Sequence, residues 1–136
     1  MASQPTHVAD ACALIAYLKG EPGNERLAEL LADDENTIAM HILNLCEVYC
    51  CYYRTDGQPK GQIAWEQAAR VFQICSPIDE AFTKLVARWK VEQNLPMMDA
   101  IAAATAEKYA CPIITTDHHH FDPVAAAGLI TVQFLR

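Results

Sequence analysis

The chain has 136 residues, 52% of them hydrophobic, and a formal net charge of −7. That length suits a single domain over residues 1–136 with its own core, and the composition excludes disordered and collagen-like classes. No apolar run reaches transmembrane length and the N-terminus lacks the basic start of a secretory signal, so a cytoplasmic protein that does not engage membranes is expected.

In chain order, residues 6–9 are β-prone and ALIAYL follows at helical spacing, predicting strand, turn and a helix ending at Gly20, with Asp10 at the strand's carboxyl end. Glu21-Pro22-Gly23-Asn24 breaks the chain before ERLAELLADD, an amphipathic helix with Leu27, Leu30 and Leu31 on its apolar side. NTIAM reads as a short strand and HILNLCEVYCCYYR as a buried helix with Glu47 in its middle. Asn44, Cys51 and Arg54 share the side of Glu47, a polar stripe that serves either a site or an outer face. TDGQPKG is read as the clearest loop, and AWEQAARVFQI as a helix leading to a short ICSPID segment. In DEAFTKLVARWKVEQ, Glu80, Lys84, Arg88 and Glu92 follow one another at i, i+4, which suits a salt-bridged outer face, with Lys84 and Arg88 as secondary candidates for contact with a phosphate backbone. Pro96 suits a first helical turn, so MMDAIAAATAEKYA is a helix with Asp99 near its start. PIIT is a buried strand followed directly by Asp117, then a loop with three histidines, then PVAAAGLITVQFLR ending in an edge strand. Strands alternating with helices predict a three-layer α/β/α sandwich with a mostly parallel central sheet.

Asp10, Glu47, Asp99 and Asp117 all lie beside apolar residues. A carboxylate there loses hydration, a cost tolerated chiefly when a counter-charge is present, and four converging acids would need a cation to hold them. Oxygen ligands suit Mg²⁺ or Mn²⁺ better than Zn²⁺. For Asp99 alone a helix dipole is a sufficient explanation. The six cysteines show no CxxC spacing and are expected to be buried thiols; Cys46 and Cys50 share a helix face without a supporting third ligand. Removing the four acids from the count brings the charge from −7 to −3, which disfavours tight sequence-independent nucleic-acid binding but fits a metal-dependent nuclease with a small footprint.

The segments VADACALIAYL, LNLCEVY, PMMDAIAAATAEKYACPIITTD and HHHFDPV, spanning residues 8–124, resemble those of PIN-domain ribonucleases, in family order, and look most like the small VapC-type toxins of VapBC toxin–antitoxin pairs. The resemblance implies a PIN-like fold and divalent-metal-dependent endonucleolytic cleavage of RNA. It implies a catalytic and metal-binding quartet of Asp10, Glu47, Asp99 and Asp117, a small antitoxin partner and a homodimer. Glu47 would bind an ion directly or through water, or act as general base. Thr115 matches a hydroxyl position of the family motif and is a candidate to hydrogen-bond a ligand carboxylate or a metal-bound water, with Asn44 beside Glu47 as a further auxiliary residue. Two positions depart from the pattern. Cys12 stands where a small polar residue is common, and His120 where an acid is frequent, so an auxiliary acidic function would pass to Asp122 or be lost. Consecutive His118, His119 and His120 point in different directions and make a poor zinc site, although one of them is a candidate proton donor.

Receiver domains and haloacid-dehalogenase-type phosphatases also put an Asp at a strand end. The first expects adjacent acids where Asp10 has Ala9 and Ala11, and the second expects an acid at position 12, which is Cys12. The alternative from another class is a PIN-like fold without catalysis that acts as a binding module.

Overall fold

The structure is a computed structural model and describes residues 3–136. Five short strands form one wholly parallel sheet: β1 (His7–Ala9), β2 (Ile38–His41), β3 (Gln73–Cys75), β4 (Ile113–Thr115) and β5 (Val132–Phe134), in the order β3-β2-β1-β4-β5. Seven helices complete it: α1 (Ala11–Lys19), α2 (Asn24–Ala32), α3 (Ile42–Asp56), α4 (Gln58–Val71), α5 (Glu80–Glu92), α6 (Met97–Tyr109) and α7 (His118–Ala127).

Successive side chains of a strand point to opposite faces, and this alternation divides the core in two. Val8, Ala39 and Ile113 face Phe82, Val86 and Trp89 of α5, the alanine-rich body of α6, and Phe121 and Val124 of α7. Ala9, Ile38, Met40 and Ile114 face Leu14 of α1, Leu27 of α2, Leu45 and Val48 of α3, and Ala64 and Ala68 of α4. The result is the three-layer α/β/α sandwich, with parallel strands covered on both faces as parallel sheets require. Small residues set the helix spacing in two places. Residues 100–106 of α6 are all buried, and a Cβ at Gly61 would meet the Tyr49 ring at 3.3 Å where α4 crosses α3.

Two expected loops are helical. TDGQPKG is broken only at Gly57 (φ +93°), because α3 runs on to Asp56 and α4 begins at Gln58 with Pro59 in its first turn, where a missing N–H costs nothing. The histidine run opens α7, since the Asp117 side chain accepts a hydrogen bond from the His120 backbone N–H and caps that helix. Pro123 lies inside α7 yet does not end it.

Candidate metal centre

The chain leaves β1 toward β2 and β3 on one side, then returns to place β4 on the other side of β1. Where strand order reverses in this way, the helices that follow the two central strands diverge and open a crevice beyond their carboxyl ends. Asp10 ends β1 and Asp117 follows β4 by one residue, so the topology alone brings these two acids to the crevice. Met97 and Met98 start α6 beside it, with Asp99 in the first turn, and Glu47 projects from the second turn of α3.

Asp10 is 2% exposed. Its Oδ1 accepts the Ala13 N–H at 2.9 Å, capping α1, and its Oδ2 accepts the Thr115 hydroxyl at 2.5 Å. Thr115, fully buried, in turn accepts the Asp117 N–H at 3.0 Å, so one hydroxyl ties the first and last acids together. Burial raises the Asp10 carboxyl to about 7; the two hydrogen bonds oppose this, while Asp99 and Asp117 add to it.

Asp99 is half-buried and is raised by burial, with His120 lowering it and Asp117 raising it. Glu47, at the exposed rim, is raised by burial and then by Asp99. Asp117 behaves differently. Burial works against its ionised form, but the His120 side chain and backbone N–H groups hold its carboxyl below the usual range. The Cys12 thiol records the convergence of the set, being pushed up to about 12 by burial and then by Asp10, Asp117, Asp99 and Glu47.

His120, expected as a departure from the family pattern and as one of three candidate proton donors, sits at the centre of the acids. Its Nδ1 lies 2.8 Å from Asp117 Oδ2, to which the ring N–H donates, and 3.2 Å from Asp99 Oδ2, within ion-pair reach of the acid on α6. Ligand atoms of Asp99, Asp117 and His120 all fall within 4.8 Å of one another. Asp10 lies behind this triad with both oxygens engaged, although each carboxylate oxygen retains further acceptor capacity. Asp122 is not where an auxiliary acid was expected to act: it is exposed and pairs with His118 Nδ1 at 2.8 Å, while His118 Nε2 meets the Arg136 carbonyl at 2.7 Å. His118 and His120 thus serve different partners, and the His119 ring lies edge-on against that of His120.

Asn44 is 1% exposed rather than part of a polar outer stripe. Its Nδ2 donates to the Met98 carbonyl at 3.0 Å, fastening α3 to the turn that carries Asp99, and its Oδ1 is buried without a protein partner. On α5, Lys84 pairs with Glu80, but Arg88 turns to Glu107 of α6 instead of its own helix, so its charge is already engaged. Cys46 and Cys50 are exposed, against the expectation of buried thiols.

A divalent ion fits this donor set. Two carboxylates and an imidazole converge in one crevice with the buried Asp10 carboxyl behind them, Asp10 and Asp99 are raised by burial and crowding, and hard oxygen donors favour a hard cation.

A parallel α/β sheet that presents acids at its switch point defines a class of fold with a catalytic or binding crevice. Residues 8–127 match the family model for the PIN domain, and the chain belongs to that family. No curated protein matches it. Among solved structures, a toxin–antitoxin complex from Klebsiella pneumoniae is 21% identical, with 96% of this chain and 98% of that chain covered at a TM-score of 0.71. VapBC2 from Rickettsia felis, bound to a DNA fragment from its promoter, is 16% identical over 94% and 97% at 0.74. VapC20 of Mycobacterium tuberculosis, a toxin that cleaves the sarcin-ricin loop, is 17% identical over 91% and 96% at 0.67. At these identities the likeness is one of fold. Among the described residues, no helix is long and apolar enough to cross a membrane.

Proposed function

We propose that this chain is a divalent-metal-dependent endoribonuclease and the toxin of a VapBC-type toxin–antitoxin pair, acting in the cytoplasm as a homodimer and restrained by a small antitoxin. The observation that carries the reading is the convergence of Asp10, Asp99 and Asp117, linked through Thr115 and His120 beyond the carboxyl ends of β1 and β4, with Glu47 at the rim, in a PIN-domain chain. Structures of toxin–antitoxin complexes among its fold neighbours support the partner assignment.

Asp99 and Asp117 would hold Mg²⁺ or Mn²⁺, with Asp10 behind them and Glu47 at the rim as a further ligand or a general base. When bound, such an ion lowers the pKa of a coordinated water and neutralises charge on the phosphate. The protein's own contribution is positioning. Thr115 orients the Asp10 carboxylate, Asn44 fixes the α6 turn that bears Asp99, and the α7 cap fixes Asp117. His120 holds a proton between Asp99 and Asp117, where it offsets their repulsion and stands ready either to ligate or to protonate a leaving oxygen.

The test is cleavage of a mixed RNA panel by antitoxin-free protein in Mg²⁺, Mn²⁺ or EDTA, beside identically prepared Asp10→Asn and Asp99→Asn. Metal-dependent cleavage by the parent chain and none by either folded variant is expected. Equal cleavage by variants and parent would refute the catalytic assignment. The His120 contacts favour one second reading, a binding module whose acids are neutralised internally; it predicts no Mn²⁺-linked rise in melting temperature.

A further inference from the structure

Cysteine is among the residue types most often buried, so a pair of exposed thiols calls for a cause. Cys46 and Cys50 are the two exposed cysteines, whereas Cys12, Cys51, Cys75 and Cys111 are half-buried. They stand one turn apart on α3, on the face away from buried Leu45 and Val48. Helix α3 is a rigid mount: its fifteen residues are held against α4 at the Tyr49–Gly61 crossing and tied to α6 through Asn44.

We propose that Cys46 and Cys50 form a two-thiolate binding site for a thiophilic metal or metalloid centre, the class that includes trivalent arsenic. Two thiolates bound at about 2.3 Å to one tetrahedral centre stand about 3.8 Å apart, a separation that side chains at i and i+4 reach without moving the backbone. The pair lacks a third thiol or imidazole, which makes it a poor zinc site and suits a centre satisfied by two sulfurs. Glu47 lies between the two positions in sequence, so a bound centre would sit at the rim of the acidic crevice while using none of its hard oxygen ligands. The site does not depend on the nuclease reading.

Phenylarsine oxide is a suitable probe because its reaction is balanced and involves no redox change. Two As–S bonds form, the As–O bond breaks, and the oxygen leaves as water with both thiol protons, arsenic staying trivalent. Cys75 and Cys111 are the competing pair, since the Cys111 thiol is raised by burial and then by Cys75, but the Cys75 thiol already donates to the Met40 carbonyl at 3.5 Å.

The reduced full-length chain is treated with one equivalent of phenylarsine oxide, challenged with a monothiol, and weighed by mass spectrometry, beside Cys46→Ser, Cys50→Ser and Cys75→Ser. A single adduct that resists the monothiol is expected in the parent and in Cys75→Ser. Loss of either α3 thiol should accelerate its displacement about a hundredfold, because the second bond is intramolecular. Both α3 positions are exposed, so these variants should melt as the parent does. An adduct that survives unchanged in Cys46→Ser or Cys50→Ser, maps to Cys75 and Cys111, or fails to form would overturn the proposal.

Discussion

Replacing Asp10 by Asn should stabilise the metal-free protein at alkaline pH, although Asp10 is the most buried acid of the crevice. The carboxyl is raised from an ordinary 3.8 to about 7, chiefly by burial. Between these values the unfolded chain has lost the proton and the folded chain retains it, so stability falls as pH rises through this window and stays low above it. The shift corresponds to about 4 kcal/mol at 1.36 kcal/mol per pKa unit. Asn keeps the shape and still accepts the Ala13 N–H, but it would turn an N–H toward the Thr115 hydroxyl that now donates to Asp10, a rearrangement costing about 1 kcal/mol. A net gain of about 3 kcal/mol at pH 8 should lift the melting temperature by about 10 °C in a domain of this size. The assay is thermal unfolding in EDTA from pH 4 to pH 8, repeated with saturating Mn²⁺. The gain should vanish near pH 4, where the folded carboxyl is protonated and the unfolded one is about half protonated, and the order should reverse with Mn²⁺, because the ion stabilises the chain that holds the charge. An Asn variant no more stable than its parent at pH 8 in EDTA would refute the argument that the buried charge is uncompensated.

Thr115→Val preserves volume but removes the hydroxyl linking Asp10 and the Asp117 N–H, and should cost about 1–3 kcal/mol in urea unfolding. Thr105→Val, whose hydroxyl only returns to the Ile101 carbonyl in its own helix, should cost under about 1 kcal/mol by the same measurement. Asn44→Ala severs the tie to Met98 and opens a cavity between α3 and α6; a loss of about 1–3 kcal/mol is expected, with weakened Mn²⁺ stabilisation as Asp99 loosens. Gly23→Ala would set a Cβ 2.6 Å from the Leu135 carbonyl oxygen at φ +95°, and should lower stability by about 2 kcal/mol or more, read by thermal melting.

Four of the five strands, most of the helices and the approach of Asp10 to Asp117 were legible because they follow from local pattern: a short apolar run, an acid at its end, and a helical period after it; Gln73 and Ile74, expected to end a helix, pair instead with Ala39 and Met40 as β3. The parallel switch point then follows from alternation of the two element types. What escaped was set by single residues acting as caps or by contacts across the fold. TDGQPKG has the composition of a loop, yet Pro59 falls where a helix tolerates proline and only Gly57 leaves helical geometry. The histidine run lacks strong helix formers, and the Asp117 cap supplies the missing bias. His120 looked like a lost acid because its partner on α6 lies far away in sequence. The same holds for Asn44, whose place on a polar stripe concealed a buried bond to Met98. Exposure of Cys46 and Cys50 was hidden by the apolar density of their helix.

Two acids of the crevice have a structural employment that would keep them in place without any metal: Asp10 caps α1 and Asp117 caps α7. Capping alone does not account for the set. A cap at an exposed helix end does its work at no electrostatic cost, whereas Asp10 is buried beside two further carboxylates that raise it. Ser or Thr would cap as well without the charge. Glu47 and Asp99 accept no capping bond, and each is raised by burial and by another acid. The arrangement is therefore least stable where the acids are most ionised, and His120 relieves only Asp99 and Asp117 directly. A fold that concentrates unfavourable charge at its switch point leaves these acids a role beyond capping, and a bound cation would offset that charge. For that reason Asn substitutions at Asp10 and Asp117, which keep the caps, separate the two roles, while Ala substitutions remove both at once.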